Sequence, residues 1–434
     1  MSFLYFYFMN KIILIGSLVL SAHVYSQFDV KATVPLYLKG SDAYLYGFNG
    51  SKEILLNKAK WSGDIADFHV DKSYVGMMRA FFPKTNSSIN MVSENKNVML
   101  AVSLDAQNKI GDVQFQDAAN KMFANEMENQ KKKELILPAL IQIKDYYKPS
   151  EAFYKSLDQE ITLLSDNKDS AVAEYPFLSF YSTNQKYTVQ EKAAELRPQD
   201  YISFFAKSNQ YLETSTLMKP ALINYLNASK SNVESGVDQL LSAVNLETPR
   251  GQTVLSELID IFNTYNMEKL KQKYLKEGNS LKCTINDRLA STLKANNNTA
   301  IGAKMPNDIF VNPINTKAKS LYDVKADKKV VVFWSSTCSH CEAELPKLLE
   351  KYTNMKAANI EVIGLSLDSN LDEFRNKAKM YPWISDSEGK GWYSSYGDIY
   401  NISATPTYFV LDANNVIISK PDHVADVIDY LKIN

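Results

Sequence analysis

Trp334-Ser335-Ser336-Thr337-Cys338-Ser339-His340-Cys341 holds two of the three cysteines in a 434-residue chain, two residues apart. Just upstream, KVVVFW (329–334) is a short apolar run of β-branched and aromatic residues. Such a run predicts a strand buried on both faces. Helix formers over 342–356 predict a helix immediately downstream. The cysteine pair therefore falls where a buried strand gives way to a helix. The first turn of a helix offers unpaired backbone N–H groups and the positive end of the helix dipole. Both favour a thiolate at Cys338, and the thiolate is the nucleophile of disulfide exchange. Cys341, one turn later, is placed to reach back and close a disulfide with Cys338. A protonated His340 beside the pair would further favour the thiolate and shift the couple toward oxidation.

Other uses of the pair fit less well. Structural zinc needs four Cys or His ligands, and the chain has one CxxC and four histidines. A disulfide across two residues is a poor structural staple, because closing so short a loop removes little chain entropy. No metal and no cofactor are expected.

Beyond the pair the pattern alternates. IEVIGLSL (360–367) reads as a second buried strand, 372–380 as a helix, 407–411 and 416–418 as a hairpin, and 425–433 as a closing helix. Four stretches of this region together resemble the thioredoxin superfamily, in its exported TlpA/ResA-like branch of thiol-disulfide oxidoreductases. FWSSTCSHC (333–341) is similar to the family's active-site turn, and Pro346 falls where members carry a helix-kinking proline. Thr405-Pro406-Thr407 resembles the cis-proline loop, and Met305-Pro306-Asn307-Asp308-Ile309 the segment that enters the fold. The resemblance covers 303–434. It implies that Cys338 attacks, that Cys341 resolves, and that Thr405 and Pro406, joined by a cis bond, shape a substrate groove with Trp334 beside it. Protein disulfides or dithiols would be the substrates, with a membrane electron donor if the chain is a reductase. Two departures stand out. Val332 occupies the place of the thioredoxins' buried acid, which leaves Asp368, just past the second strand, as the candidate proton acceptor. Thr337 replaces the family's aromatic before the first cysteine.

The rest of the chain divides into three. At the start, IILIGSLVL (12–20) follows Lys11 and leads to Val24 and Ser26, small residues at the spacing of a signal cleavage site. Residues 1–26 are read as a secretory signal cut after Ser26, or a membrane anchor if uncut. Residues 27–111 alternate apolar and polar between turn signals such as Gly40-Ser41-Asp42, which predicts a small antiparallel sheet or sandwich. Over 112–300 glycine nearly vanishes and helix formers dominate, which predicts a helical bundle. One helix is expected around Leu135, Leu137, Leu140, Ile141 and Ile143, and another over 255–276 with Leu255, Leu258, Ile259, Phe262 and Tyr265 on one face. ANNNTAIGAKMPN (295–307) reads as a linker. Cys283 is expected to be a buried structural thiol. The fold class is thus multidomain: 27–111 β-rich, 112–300 helical, 301–434 thioredoxin-like. Helical and β-rich regions placed ahead of such a domain are also an arrangement that some TlpA-like proteins share.

A net charge of −1 gives no broad attraction to nucleic acid or anionic lipid. The reading is an exported thiol-disulfide oxidoreductase, more a reductase than an oxidase or isomerase. The alternative from another class is a binding protein that uses an inert scaffold. Electron-flow direction, the substrate protein and oligomeric state are left open.

Overall fold

In a computed structural model of the chain, residues 27–165, 170–189 and 195–433 are described. The expected signal over 1–26 lies outside them. No helix among the described residues is long and apolar enough to cross a membrane.

Nine strands come first: β1 (Phe28–Thr33), β2 (Tyr44–Asn49), β3 (Lys52–Lys58), β4 (Lys60–Ser62), β5 (Ile65–Val70), β6 (Val75–Phe82), β7 (Ser87–Glu94), β8 (Val98–Leu104) and β9 (Ile110–Phe115). They form two sheets, ordered β4-β5-β1-β8-β9 and β3-β2-β6-β7. Val30, Phe68 and Leu100 of one sheet and Leu45, Met78 and Met91 of the other bury together, so the region is a sandwich. It is not purely antiparallel, because β1 and β8 pair in parallel. β1 ends at Thr33, and a turn closed by Leu38 N–H on the Pro35 carbonyl follows.

Helices α1 (Ala118–Leu135), α2 (Leu137–Lys144), α3 (Ala152–Ser165) and α4 (Pro176–Asn184) precede α5 (Pro198–Lys207), α6 (Tyr211–Thr214), α7 (Met218–Ala228), α8 (Val233–Val244), α9 (Pro249–Thr264), α10 (Glu268–Ser280) and α11 (Asp287–Asn298). The second group packs around Phe205, Tyr225, Leu240, Leu258 and Phe262. Local chemistry starts its central helix: Thr248 caps α9 by accepting from the Gly251 N–H at 3.1 Å, and Pro249 takes the first turn.

Three helical expectations need correction. Leu135 ends α1 while Leu140, Ile141 and Ile143 belong to α2, and no residue of α2 is buried. The helix expected over 255–276 is two helices, because Asn266 turns left-handed (φ 53°) and leaves Tyr265 exposed. The linker expected over 295–307 begins inside α11. There Asn296 Oδ1 accepts from Asn401 Nδ2 at 3.1 Å, and Asn298 Nδ2 donates to the Ile399 carbonyl at 2.9 Å. These asparagines join the helical region to the C-terminal domain rather than separating the two.

The C-terminal domain contains β10 (Lys328–Trp334), α12 (Ser339–Ala357), β11 (Ile360–Ser366), α13 (Leu371–Ala378), β12 (Ile384–Ser387), α14 (Tyr396–Tyr400), β13 (Thr407–Asp412), β14 (Ile417–Ser419) and α15 (Val424–Leu431). The sheet order is β12-β11-β10-β13-β14. β10, β11 and β12 are parallel, and β13 runs antiparallel to β10. From Val330 to Trp334 the central strand is apolar because helices cover both faces. Val330, Val332 and Trp334 enter one core, and Val331 and Phe333 the other. The N-terminal sandwich also touches this domain: the Tyr393 ring lies 4.4 Å from that of Tyr46 and 4.2 Å from that of Phe81, centroid to centroid.

Candidate active site

The site grows from the end of β10. The strand delivers Trp334, a turn over Ser335–Thr337 follows, and α12 begins at Ser339 with Cys338 as its N-cap. The cap acceptor is the Cys338 sulfur, which takes the Cys341 N–H at 3.2 Å. A sulfur in that position is aimed at the unpaired donors and the positive pole of the helix. β13 runs beside β10, and the loop before it brings Thr405 across from the cysteines. The Cys338 thiol donates to the Thr405 carbonyl at 3.3 Å. The Thr405–Pro406 bond is cis, and both residues are partly exposed.

The two thiols differ in kind. Burial pushes Cys338 up, but hydrogen bonds with the Cys341 thiol, with the Thr405 side chain and with the N–H groups of Cys341 and His340 outweigh it and hold Cys338 below the usual thiol range. Cys341 is buried, and burial together with its bond to Cys338 pushes it up to about 12. All three thiols of the chain are free. The outer sulfur is thus the more readily ionised of the two and the inner one the less.

The other named residues are placed as follows. His340 is exposed, and its group that reaches the Cys338 sulfur is the backbone N–H. Trp334 does not fit as a substrate contact. It is 1% exposed and packs on Phe374 and Tyr381 beneath the site. Its indole needs Gly364, where a Cβ would come within 2.9 Å of Nε1. Val332 is buried in the apolar core, and Thr337 is exposed. Asp368 is buried at the turn before α12, where its carboxylate accepts from Ser335, Ser336 and Ser366. Cys283 is only partly buried and stands apart in the helical region, where the Gln252 amide donates to its sulfur at 3.4 Å. Among the described residues no cluster of acidic, histidine or cysteine side chains is arranged to hold a metal.

Sequence reasoning passed over two neighbours. Tyr408 is buried beside the pair. Burial first, then Glu344, Cys341 and Cys338, push its hydroxyl well above the usual range. Glu344 lies one turn beyond Cys341. A hydrogen bond from Lys347, then the Val424 N–H, hold its carboxyl below the usual range. The three-residue step from Cys341 was the available signal for Glu344; Tyr408 had only its place after the Thr405-Pro406-Thr407 loop.

Residues 301–420 match the family model described as AhpC/TSA family. Over 123 residues the chain is 27% identical to a thiol-disulfide oxidoreductase ResA of Bacillus cereus, an alignment covering 28% of this chain and 68% of that protein. A solved thioredoxin domain of a thiol-disulfide oxidoreductase from Bacteroides vulgatus is 23% identical, with a TM-score of 0.29, and covers 31% of this chain and 99% of its own. A thioredoxin-like protein from Bacteroides caccae covers 62% of this chain and 88% of its own, at 15% identity and a TM-score of 0.31.

Proposed function

From a C-terminal domain that is thioredoxin-like and of the AhpC/TSA family, we propose that this chain is a thiol-disulfide oxidoreductase that reduces protein disulfides after export. The observation that carries the chemistry is the split between the two thiols: Cys338 caps the helix and is held low, and Cys341 lies buried behind it.

In the proposed cycle the Cys338 thiolate attacks one sulfur of a substrate disulfide. That S–S bond breaks, a mixed disulfide forms, and the departing substrate thiolate takes a proton. Cys341 then loses its proton and attacks the Cys338 sulfur. The mixed disulfide breaks, and the second substrate thiolate leaves. Two electrons pass from the Cys338–Cys341 dithiol to the substrate, and the enzyme is left as the disulfide. Thr405 and Pro406 line the approach, where a partly exposed extended loop can pair with an extended substrate segment. An external dithiol must reduce the enzyme again. The resemblance to the TlpA/ResA-like branch and the apolar run over 12–20 support a donor at a membrane and an enzyme outside the cytoplasm, with cleavage after Ser26.

Non-reducing gels test the division of labour. Cys341→Ser accumulates a mixed disulfide with a model protein substrate, and Cys338→Ser accumulates none; equal trapping would overturn the assignment. The couple's reduction potential tests the direction. A value near about −270 mV or below fits a reductase, and one near about −120 mV would make the chain an oxidase.

A further inference from the structure

Asp368 follows β11, and its carboxylate is fully committed. Ser335 Oγ donates to Oδ1 at 2.7 Å, and Ser336 Oγ to the same oxygen at 2.9 Å. The Ser336 N–H lies 2.9 Å from Oδ1 and 3.1 Å from Oδ2, and Ser366 Oγ donates to Oδ2 at 2.7 Å. An ionised carboxylate offers about four lone-pair sites, so these donors occupy it. A base that takes a proton from a thiol needs a lone pair facing that thiol, and the partners here are serine groups.

Two of those serines share a location. Ser335 and Ser336 form the turn between β10 and α12, and the Cys338 N–H donates to the Ser335 carbonyl at 3.2 Å. The turn that Asp368 grips is therefore the one that sets Cys338 at the helix cap. The Asp368 main chain is held separately, with its carbonyl accepting from the Gly391 N–H at 3.2 Å and from Ser387 Oγ at 3.4 Å. A change at the side chain removes the grip without releasing the loop that carries it.

We propose that Asp368 is a positioning residue: its carboxylate holds the Ser335–Ser336 turn, and through it the Cys338 sulfur against the helix N-terminus, and it is not the group that takes the proton of Cys341. This rests on reading the cysteine pair as a disulfide-exchange centre. Electrostatics makes the proposal separable from a charge effect. Deleting an anion near a thiolate favours the thiolate, whereas letting the sulfur drift from its donors disfavours it.

The test compares Asp368→Ala with Asp368→Asn in the full chain, following alkylation of Cys338 by iodoacetamide against pH and resolution of a preformed mixed disulfide by Cys341. Asparagine keeps an oxygen for Ser335 and Ser336, and its amide can donate to Ser366, but it cannot accept a proton at neutral pH. The expected result for Asp368→Ala is a raised Cys338 pKa, with alkylation at pH 7 slowed roughly five- to ten-fold, up to about one pK unit. Asp368→Asn stays within about two-fold of the unmodified chain in both assays. If Asp368→Ala folds poorly by circular dichroism, Ser335→Ala with Ser336→Ala removes the side-chain donors from the other side and is expected to slow alkylation likewise. Unchanged or faster alkylation in the alanine variants, or slow resolution in Asp368→Asn, would overturn the proposal. Alkylation needs no turnover, so a chain that failed to reduce any disulfide would sink the functional reading while this comparison still gave its answer.

Discussion

Residues 118–165 and 198–298 are both helical and both rich in apolar residues, yet they use them differently. In the second, the faces of α5, α7, α8 and α9 close on each other, and Phe205, Tyr225 and Leu258 are wholly buried. In the first, no residue of α2 is fully buried, and Leu135 is 66% exposed. Periodicity shows which face of a helix is apolar; it does not show whether a neighbour covers that face. The contrast extends to charge. The bundle buries Glu257 and pairs it: Arg288 Nη2 donates to Glu257 Oε1 at 2.9 Å and to Asp260 Oδ2 at 2.5 Å. Ser51 of the sandwich adds its N–H and hydroxyl to the same Glu257 carboxylate, at 2.8 and 2.6 Å. The C-terminal domain instead buries Asp308 beside other acids and leaves its Oδ2 without a hydrogen-bond partner.

The largest stability effect expected from this contrast is at Arg288. Arg288→Ala leaves the Glu257 carboxylate buried without its cation, which costs about 3–5 kcal/mol when one partner of a buried pair is removed. Urea unfolding measures it. Arg288→Met combined with Glu257→Gln and Asp260→Asn recovers much of the loss, because neither carboxylate that Arg288 held is then left as an unpaired charge. A loss below about 1 kcal/mol for Arg288→Ala would mean that the charges are solvated.

Asp308 carries the opposite sign. Burial first, then Asp386 and Glu388, push its carboxyl from 3.8 up to about 7. Between those values the folded chain holds a proton that the unfolded chain has released. Stability therefore falls as pH rises through that window, and the penalty is fully present above about pH 7. Asp308→Asn, neutral at every pH, is expected to be more stable than the unmodified chain at pH 8, by at most about 4 kcal/mol for a rise of this size. The gain shrinks toward zero as pH falls to 4. Unfolding midpoints across pH 4–8 measure this, and a pH-independent difference would rule out the titration of Asp308.

What could be read from sequence follows the same physics. The strand expected over 329–334 is β10, and the one over 360–367 is β11, because strands covered on both faces write a mostly apolar run. The turn after β10 was legible from the cysteine spacing. That Thr405 faces Cys338 across 67 residues came only from family resemblance, since no local pattern encodes it. Ser335 and Ser336 looked like ordinary turn residues, because their partner Asp368 is supplied by the neighbouring strand. The break at Asn266 and the docking of Asn296 were hidden for a related reason. Asparagine adopts the left-handed conformation and bonds across seams without any marker in a single sequence, so Asn266 reads as helix interior and Asn296 as linker.

The smallest effect expected lies on α2, where Ile141 and Ile143 are apolar and exposed. Each keeps over 40% of its surface exposed, so Ile141→Ser and Ile143→Ser give up only part of the ~1.5–3 kcal/mol that a fully buried side chain is worth, and about 1 kcal/mol each is expected. A buried isoleucine truncated in the bundle, such as Ile259→Ala, is expected to cost about 2–5 kcal/mol by comparison. Urea unfolding of the three variants side by side therefore measures how differently the two helical regions use the same residue type. A loss above about 2 kcal/mol for either α2 variant, the range of a fully buried side chain, would mean that something further covers that face in solution. Repeating the measurement over a ten-fold range of protein concentration then identifies a second copy of the chain as the cover, because only association makes the midpoint rise with concentration.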